Sequence, residues 1–248
     1  MYIFINIDML KLIYIKKEAI IMSVFNNLIS LRKKFNYSQQ EISDKLGITR
    51  QTYIKMEKNE NEPDINQINE LANIYGIPVE EFFYGIQNIE KFKQMYLYIL
   101  SKFKKSGLPK TKLAKLLYFA DFRHFYNTLE PMSGVLYRHK DYGPLADPFL
   151  ELTEDLAYKG KIQIECLSGG ANMITIKTAT FNNTFDLLSK EELKEIDDIC
   201  KKWRNIDTKQ IVSYTHQQKP WMACRDGEII PYELILQEDP DHVDTPIT

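Results

Sequence analysis

The sequence predicts a mainly α protein of two domains, a small five-helix domain followed by a larger, mostly helical one with a single β-hairpin. Three observations carry this. Apolar residues recur at helical spacing through most of the 248-residue chain, and the recurring stretches open on capping residues such as Ser38, Asp64 and Ser189. Strand-like patterns are confined to Ile162 to Leu167 and Met173 to Lys177, paired around Ser168-Gly169-Gly170. A chain of this length can also bury two separate cores.

The first domain builds up in order. Between Val24 and Lys34, Leu28 and Leu31 are spaced for one helix. Ser38 with Glu41 three residues later is a capping box that opens a second helix. Its Ile42 and Leu46 fall one turn apart before Gly47, which is free to take the left-handed backbone of a tight turn. Thr49 caps a third helix, Arg50 to Glu57, which sends Tyr53 and Met56 to one side and Arg50, Gln51 and Lys55 to another. Asp64 caps a fourth, with Ile65, Ile68, Leu71, Ala72 and Tyr75 inward, ending at Gly76. Pro78 starts a short fifth helix with Phe82 and Phe83, and Gly85 closes the domain.

The two helices hinged at Gly47 carry chemistry suited to a DNA major groove. Arginine can donate twice to guanine, and glutamine can both donate to and accept from adenine. Arg50 and Gln51 stand at the N-terminal end of their helix, where recognition helices meet base edges. Lys55 lies one turn further on, and Gln39 is placed to touch the phosphate backbone and set the register. Over roughly residues 24 to 84 the stretch resembles the Xre and lambda-type repressor helix-turn-helix family, whose pattern is matched by Gln39, Gly47, Thr49 and Glu57. The resemblance implies a repressor-type DNA-binding domain at 22–85 that contacts DNA through Gln39, Thr49, Arg50, Gln51, Thr52 and Lys55. It also implies a structural ion pair between Arg32 and Glu57. Lysines and arginines exceed acids by four between Val24 and Lys58, and acidic residues from Glu60 to Glu81 cancel that excess. Affinity for DNA should therefore be modest for a monomer and depend on a homodimer and on salt.

The net charge of −2 excludes a protein that is basic throughout, so any DNA contact must be local. Cys166, Cys200 and Cys224 are widely spaced and form no CxxC pair, which argues against zinc and against a disulfide framework. A reducing cytoplasm is the expected setting, with the thiols acting as small apolar residues. Residues 1–21 are apolar but carry Asp8, Lys11, Lys16 and Lys17, with no small-residue cleavage site after them, so neither a secretory signal nor a membrane span is expected. Met22-Ser23-Val24-Phe25 looks like an ordinary start for the repressor-type family, so 1–21 is expected to be an N-terminal extension, native or not.

After a short connection, Ile89 to Lys104 reads as a long helix on a new core, with Phe92, Met95, Tyr96, Ile99 and Leu100 inward. Pro109 and Thr111 introduce another, whose Leu113, Leu116, Leu117, Ala120 and Phe125 form a buried stripe. Ser189 and Glu192 make a capping box for a helix that turns Leu193, Ile196, Ile199, Cys200 and Trp203 inward. Residues 237–248, rich in Asp and Pro, read as an acidic flexible tail.

Three clusters stand out in this domain: Lys115-Leu-Leu-Tyr-Phe-Ala-Asp-Phe-Arg-His124, Tyr142-Gly-Pro144, and His216 followed by Lys219-Pro-Trp221. In this order they resemble the Panacea, or SocA-like, antitoxin domain, over about residues 89–236. The resemblance implies an antitoxin that binds a cognate toxin protein while its helix-turn-helix represses their shared operon at operator DNA. Tyr118, Asp121, Tyr142 and Trp221 are the candidate toxin contacts, weighed against plain structural roles in core, turn and helix pinning. Two other readings stay open: a phage-type or operon repressor with a ligand-sensing or oligomerising second domain, and a proteolytic adaptor for the toxin. Asp121, His124 and His216 could be imagined as a catalytic group, since the first two are three residues apart on one helix. The chain nevertheless has no HExxH, P-loop or GxGxxG pattern, so no enzyme activity and no cofactor is expected.

Overall fold

Residues 27–34 form helix α1 in the computed structural model, which describes residues 24, 27–79, 82, 87–177 and 184–246. The chain divides into two units, Met1–Gln87 and Asn88–Thr248. The first unit continues through α2 (Gln39–Lys45), α3 (Arg50–Glu57) and α4 (Ile65–Tyr75). Ser38 and Glu41 close a reciprocal capping box at α2, and Thr49 and Asp64 cap α3 and α4 through their side chains. Each such cap is worth about 1 kcal/mol, because it fills an N–H group that the first helical turn leaves open. Gly47 has φ +65°, and a Cβ there would meet nothing within 4 Å, so the residue is needed for its backbone conformation and not for space. The apolar faces close on one core that includes Leu28, Leu31, Ile42, Tyr53, Met56, Leu71 and Phe82. Residues 1–21 and the expected ends of the fifth helix, Phe83 and Gly85, lie outside the described residues.

The second unit is organised around one long helix. In chain order it holds α5 (Ile89–Ser101), β1 (Leu108–Pro109), α6 (Lys110–Thr128), β2 (Tyr137–Arg138), β3 (Leu145–Ala146), α7 (Phe149–Tyr158), β4 (Ile162–Cys166) and β5 (Asn172–Ile176). After these come α8 (Lys190–Lys202), α9 (Thr208–Gln217), the short α10 (Lys219–Met222), and 3₁₀ turns at Tyr232–Gln237 and Pro240–His242. The hairpin β4–β5 pairs Ile164 with Ile174, and β1 adds to its β5 edge, giving the antiparallel order β1-β5-β4. A second small ladder joins β2 to β3. The protein is thus mainly α with a small antiparallel sheet. Among the described residues, no helix is long and apolar enough to cross a membrane.

Helix α6 departs from the expected single stripe, since every residue from Lys112 to Phe122 is buried. The reason is its central place: α5, α8, α9, β3 and the Tyr232–Gln237 turn all pack on it. Aromatic side chains fill the gaps, with Phe119 stacked on Trp203 at 4.9 Å and Phe122 on Tyr232 at 4.6 Å.

The C-terminal segment corrects the expectation of a flexible tail. Val243 and Asp244 are buried, and Asp244 Oδ2 lies 2.7 Å from Arg123 Nη1 and its Oδ1 3.2 Å from Lys202 Nζ. Trp203 Nε1 donates to Asp244 O at 2.8 Å, and Gln218 Nε2 donates to the carbonyls of His242 and Val243, also at 2.8 Å. An indole N–H, an amide and two cations on and between the helices need acceptors, and this acidic segment supplies them. Composition signals the charge of such a segment but not the partners awaiting it. Cys200 and Cys224 are buried as expected of small apolar residues, whereas Cys166 is exposed on β4.

Candidate DNA-reading and partner surfaces

In the first unit, the core side of α3 fixes its polar side. Tyr53 and Met56 are fully buried, which leaves Arg50, Gln51 and Lys55 exposed and Thr52 half-buried. Thr49 Oγ1 accepts from the Thr52 backbone N–H at 3.1 Å and lies 2.8 Å from the Thr52 hydroxyl, so both threonines hold the start of the helix. Glu57, at the other end, receives Arg32 Nε at 2.5 Å and Arg32 Nη2 at 3.2 Å, while Arg32 Nη1 donates to Tyr37 O. Gln39 then bridges the two ends of α3. Its Nε2 donates to Glu57 Oε2 at 2.8 Å, and its Oε1 accepts from Arg50 Nη2 at 3.1 Å. One polar chain, Arg32 to Glu57 to Gln39 to Arg50, therefore runs from the inner helix to the exposed arginine. The link from Gln39 to Arg50 was not legible from spacing, because it joins positions on two helices whose crossing only the packed core sets.

In the second unit the three motif clusters meet. Gly143 has φ +85°, and a Cβ on it would lie 2.4 Å from Thr215 Oγ1 and 3.0 Å from Lys115 Cε. Only glycine lets the Tyr142-Gly-Pro turn close this far onto α6 and α9. Lys115 Nζ donates to Pro144 O at 2.5 Å, fastening the turn to the central helix. Trp221 is stacked by His216 and by His139, each at 4.1 Å, and donates Nε1 to Lys140 O at 3.3 Å. Burial pushes both imidazoles below their ordinary pKa, and for His216 the Lys115 charge adds to this. Tyr142 is 72% exposed beside this group.

Two of the candidate contacts do not reach the surface. Asp121 is fully buried and accepts from the Ser133 backbone N–H and hydroxyl at 2.6 Å each and from Tyr137 OH at 2.9 Å. Burial pushes its carboxyl up, against the pull of these three hydrogen bonds. Tyr118 is also fully buried, within 4.3 Å of the Phe122 ring centroid. Both lie in the stretch of α6 from Lys112 to Phe122 that is buried throughout, so neither side chain offers an exposed contact. His124 is not hydrogen-bonded to Asp121. Its Nδ1 lies 2.7 Å from Glu195 Oε2, joining α6 to α8. Burial opposes charge on this ring, but the Glu195 hydrogen bond and charge, with Glu192, outweigh it and raise the pKa.

Around Tyr142 the surface is concave. A cleft of about 600 Å³ is lined by Lys209, Val212, His216 and Tyr142, and a smaller cavity of about 160 Å³ lies between Lys115, Lys140 and Phe149. Among the described residues, no group of three or more His, Cys, Asp or Glu side chains could hold a metal ion.

The capped, glycine-hinged pair α2–α3 with its buried inner face and polar outer face defines the class, and the chain belongs to the helix-turn-helix family, which residues 28–82 match. Residues 113–222 match the family described as Antitoxin SocA-like, Panacea domain, so a SocA-like domain follows the helix-turn-helix in the same chain. The chain is 45% identical over 49 residues to the SPbeta prophage-derived uncharacterized HTH-type transcriptional regulator YonR of Bacillus subtilis, covering 20% of this chain and 45% of that protein. It is 33% identical over 58 residues to the uncharacterized HTH-type transcriptional regulator MJ0272 of Methanocaldococcus jannaschii, covering 23% of this chain and 88% of that protein. A third relative, YqaE of Bacillus subtilis, is 34% identical over 67 residues, which is 27% of this chain and 58% of that protein. The chain thus spans only about half the length of YonR and YqaE. No solved structure matches it. The families found are regulatory.

Proposed function

We propose that this protein is an antitoxin that neutralises a cognate toxin by direct binding through its second domain and represses the shared operon as a homodimer on operator DNA. The observation that carries the reading is the convergence of Lys115, Tyr142-Gly-Pro144, His216 and Trp221 at one corner of a SocA-like domain, with an exposed tyrosine and a half-buried tryptophan as anchors. Tyr142 and Trp221 are the contact residues in this account, and Asp121 and Tyr118 hold the helix beneath them. In the first domain Arg50 and Gln51 read base edges, Thr49, Thr52 and Lys55 lie along the backbone, and Gln39 positions Arg50.

The test is the neighbouring reading frame. Its product, expressed alone, should arrest growth, and co-expression of this chain should relieve the arrest. Tyr142→Ala should lose protection without a change in unfolding temperature, whereas Asp121→Ala should lose both. If the chain folds normally yet neither binds nor protects against any adjacent gene product, the antitoxin reading fails. A ligand-sensing repressor then becomes the better account, favoured by the cleft at Tyr142, whose volume of about 600 Å³ lies in the range of small-molecule sites.

A further inference from the structure

Lys115 is the least expected charge in the second unit. Its side chain is 2% exposed, yet among the described residues no carboxylate pairs with it, and one acceptor, Pro144 O, serves an ammonium with three donors. An unpaired buried cation is expensive, and proteins accommodate one by neutralising it or by bringing an anion to it. Here the surroundings favour the anion. The cavity of about 160 Å³ beside Lys115 is lined by Lys110 and Lys140 as well, and the adjoining cleft by Lys209 and His216, while no Asp or Glu lines either space. The two spaces share Thr111 and Tyr142. Lys110 and Thr111 are also the first residues of α6, a 19-residue helix whose N-cap, Pro109, makes no side-chain cap. The positive end of that helix's dipole thus lies at the residues that line the same space.

We propose that this corner is a binding site for a carboxylate or phosphate group. The Lys115 ammonium and the first turn of α6 hold the anion, Lys110 and Lys140 flank it, and the body of the ligand lies along the cleft against Tyr142. Lys115 serving only as a latch for the turn accounts for the Pro144 hydrogen bond but not for further cations gathered around an acid-free cavity. The inference holds whether or not the domain masks a toxin.

The full-length chain is titrated with sodium phosphate, with sodium acetate, and with a capped peptide bearing one glutamate in an otherwise neutral sequence. Sodium chloride at equal ionic strength is the control, and heat of binding and unfolding temperature are the readouts. At least one probe should bind saturably and stabilise the chain where chloride does not. Lys115→Met, close in shape but uncharged, should abolish that binding, and Lys140→Ala, at an exposed position, should weaken it several-fold while leaving the fold intact. Saturation by phosphate or acetate identifies a free small ligand as the source. Saturation by the peptide alone identifies an acidic side chain of a bound protein. If no probe binds saturably, or if Lys115→Met and Lys140→Ala bind as the parent does, the site does not exist.

Discussion

Arg32, Glu57, Gln39 and Arg50 show how a buried pair can reach the surface through one amide. The Glu57 side chain is 6% exposed and takes donors from both Arg32 and Gln39. Glu57→Ala should therefore leave the Arg32 guanidinium without its partner in a largely buried place and cost about 3 kcal/mol in urea unfolding of the first domain. Gln39→Ala should cost less stability but release Arg50, so operator binding should weaken and base preference relax together. Binding that weakens equally on specific and random DNA would remove Gln39 from that positioning role. Lys115 offers a second test at this scale. Burial pushes it down to about 7 from the ordinary 10.5, so between those values the unfolded chain binds more protons than the folded one. Stability from this group therefore rises as pH increases through that window. Lys115→Met should be at least as stable as the parent near neutrality and should lack the rise, which denaturant unfolding at about pH 7 and about pH 9.5 measures.

Individual helices owe their ends to local chemistry and their burial to neighbours. The capping boxes at Ser38, Asp64 and Ser189 each close on the residue three positions later, Glu41, Gln67 and Glu192. The boundaries of α2, α4 and α8 were readable for that reason, since a capping box needs no partner from elsewhere. The hairpin was readable too, within a residue at each strand. What periodicity could not convey was that α6 is buried all round from Lys112 to Phe122, or that the two-residue strand β1 adds to the hairpin edge. The C-terminal segment belongs to the same scale. A chain ending at Gln237 would remove the Asp244 partner of Arg123 and Lys202 and the acceptor of Trp203 Nε1. It should unfold several degrees lower and be cut faster by protease around α8 and α9, whereas an unchanged melting curve would show the segment to be dispensable.

At the scale of the whole molecule, the two units each hold their own core, so the activities should separate. A fragment from Asn88 onward should fold with a cooperative transition of its own and keep any partner or anion binding while losing operator binding. A fragment ending at Gln87 should retain weak, salt-sensitive DNA binding and offer no protection against a toxin. Loss of cooperative unfolding in the Asn88 fragment would show that its core depends on the first domain.

The helix-turn-helix was determined by sequence alone, because caps, a left-handed glycine and a core face at helical spacing are relations between residues a few positions apart. The order of the KLLYFAD, YGP and late His-Pro-Trp clusters likewise identified the second domain. Only the tertiary structure decided which of those residues meet a partner and which support the fold. Tyr118 and Asp121 look as reactive in sequence as Tyr142, yet α6 lies at the centre of the unit and hides them. Lys115, three positions before Tyr118, became a candidate site only when Gly143 brought a distant turn onto it. Burial and long-range contact depend on residues tens of positions away, and no local pattern carries that information.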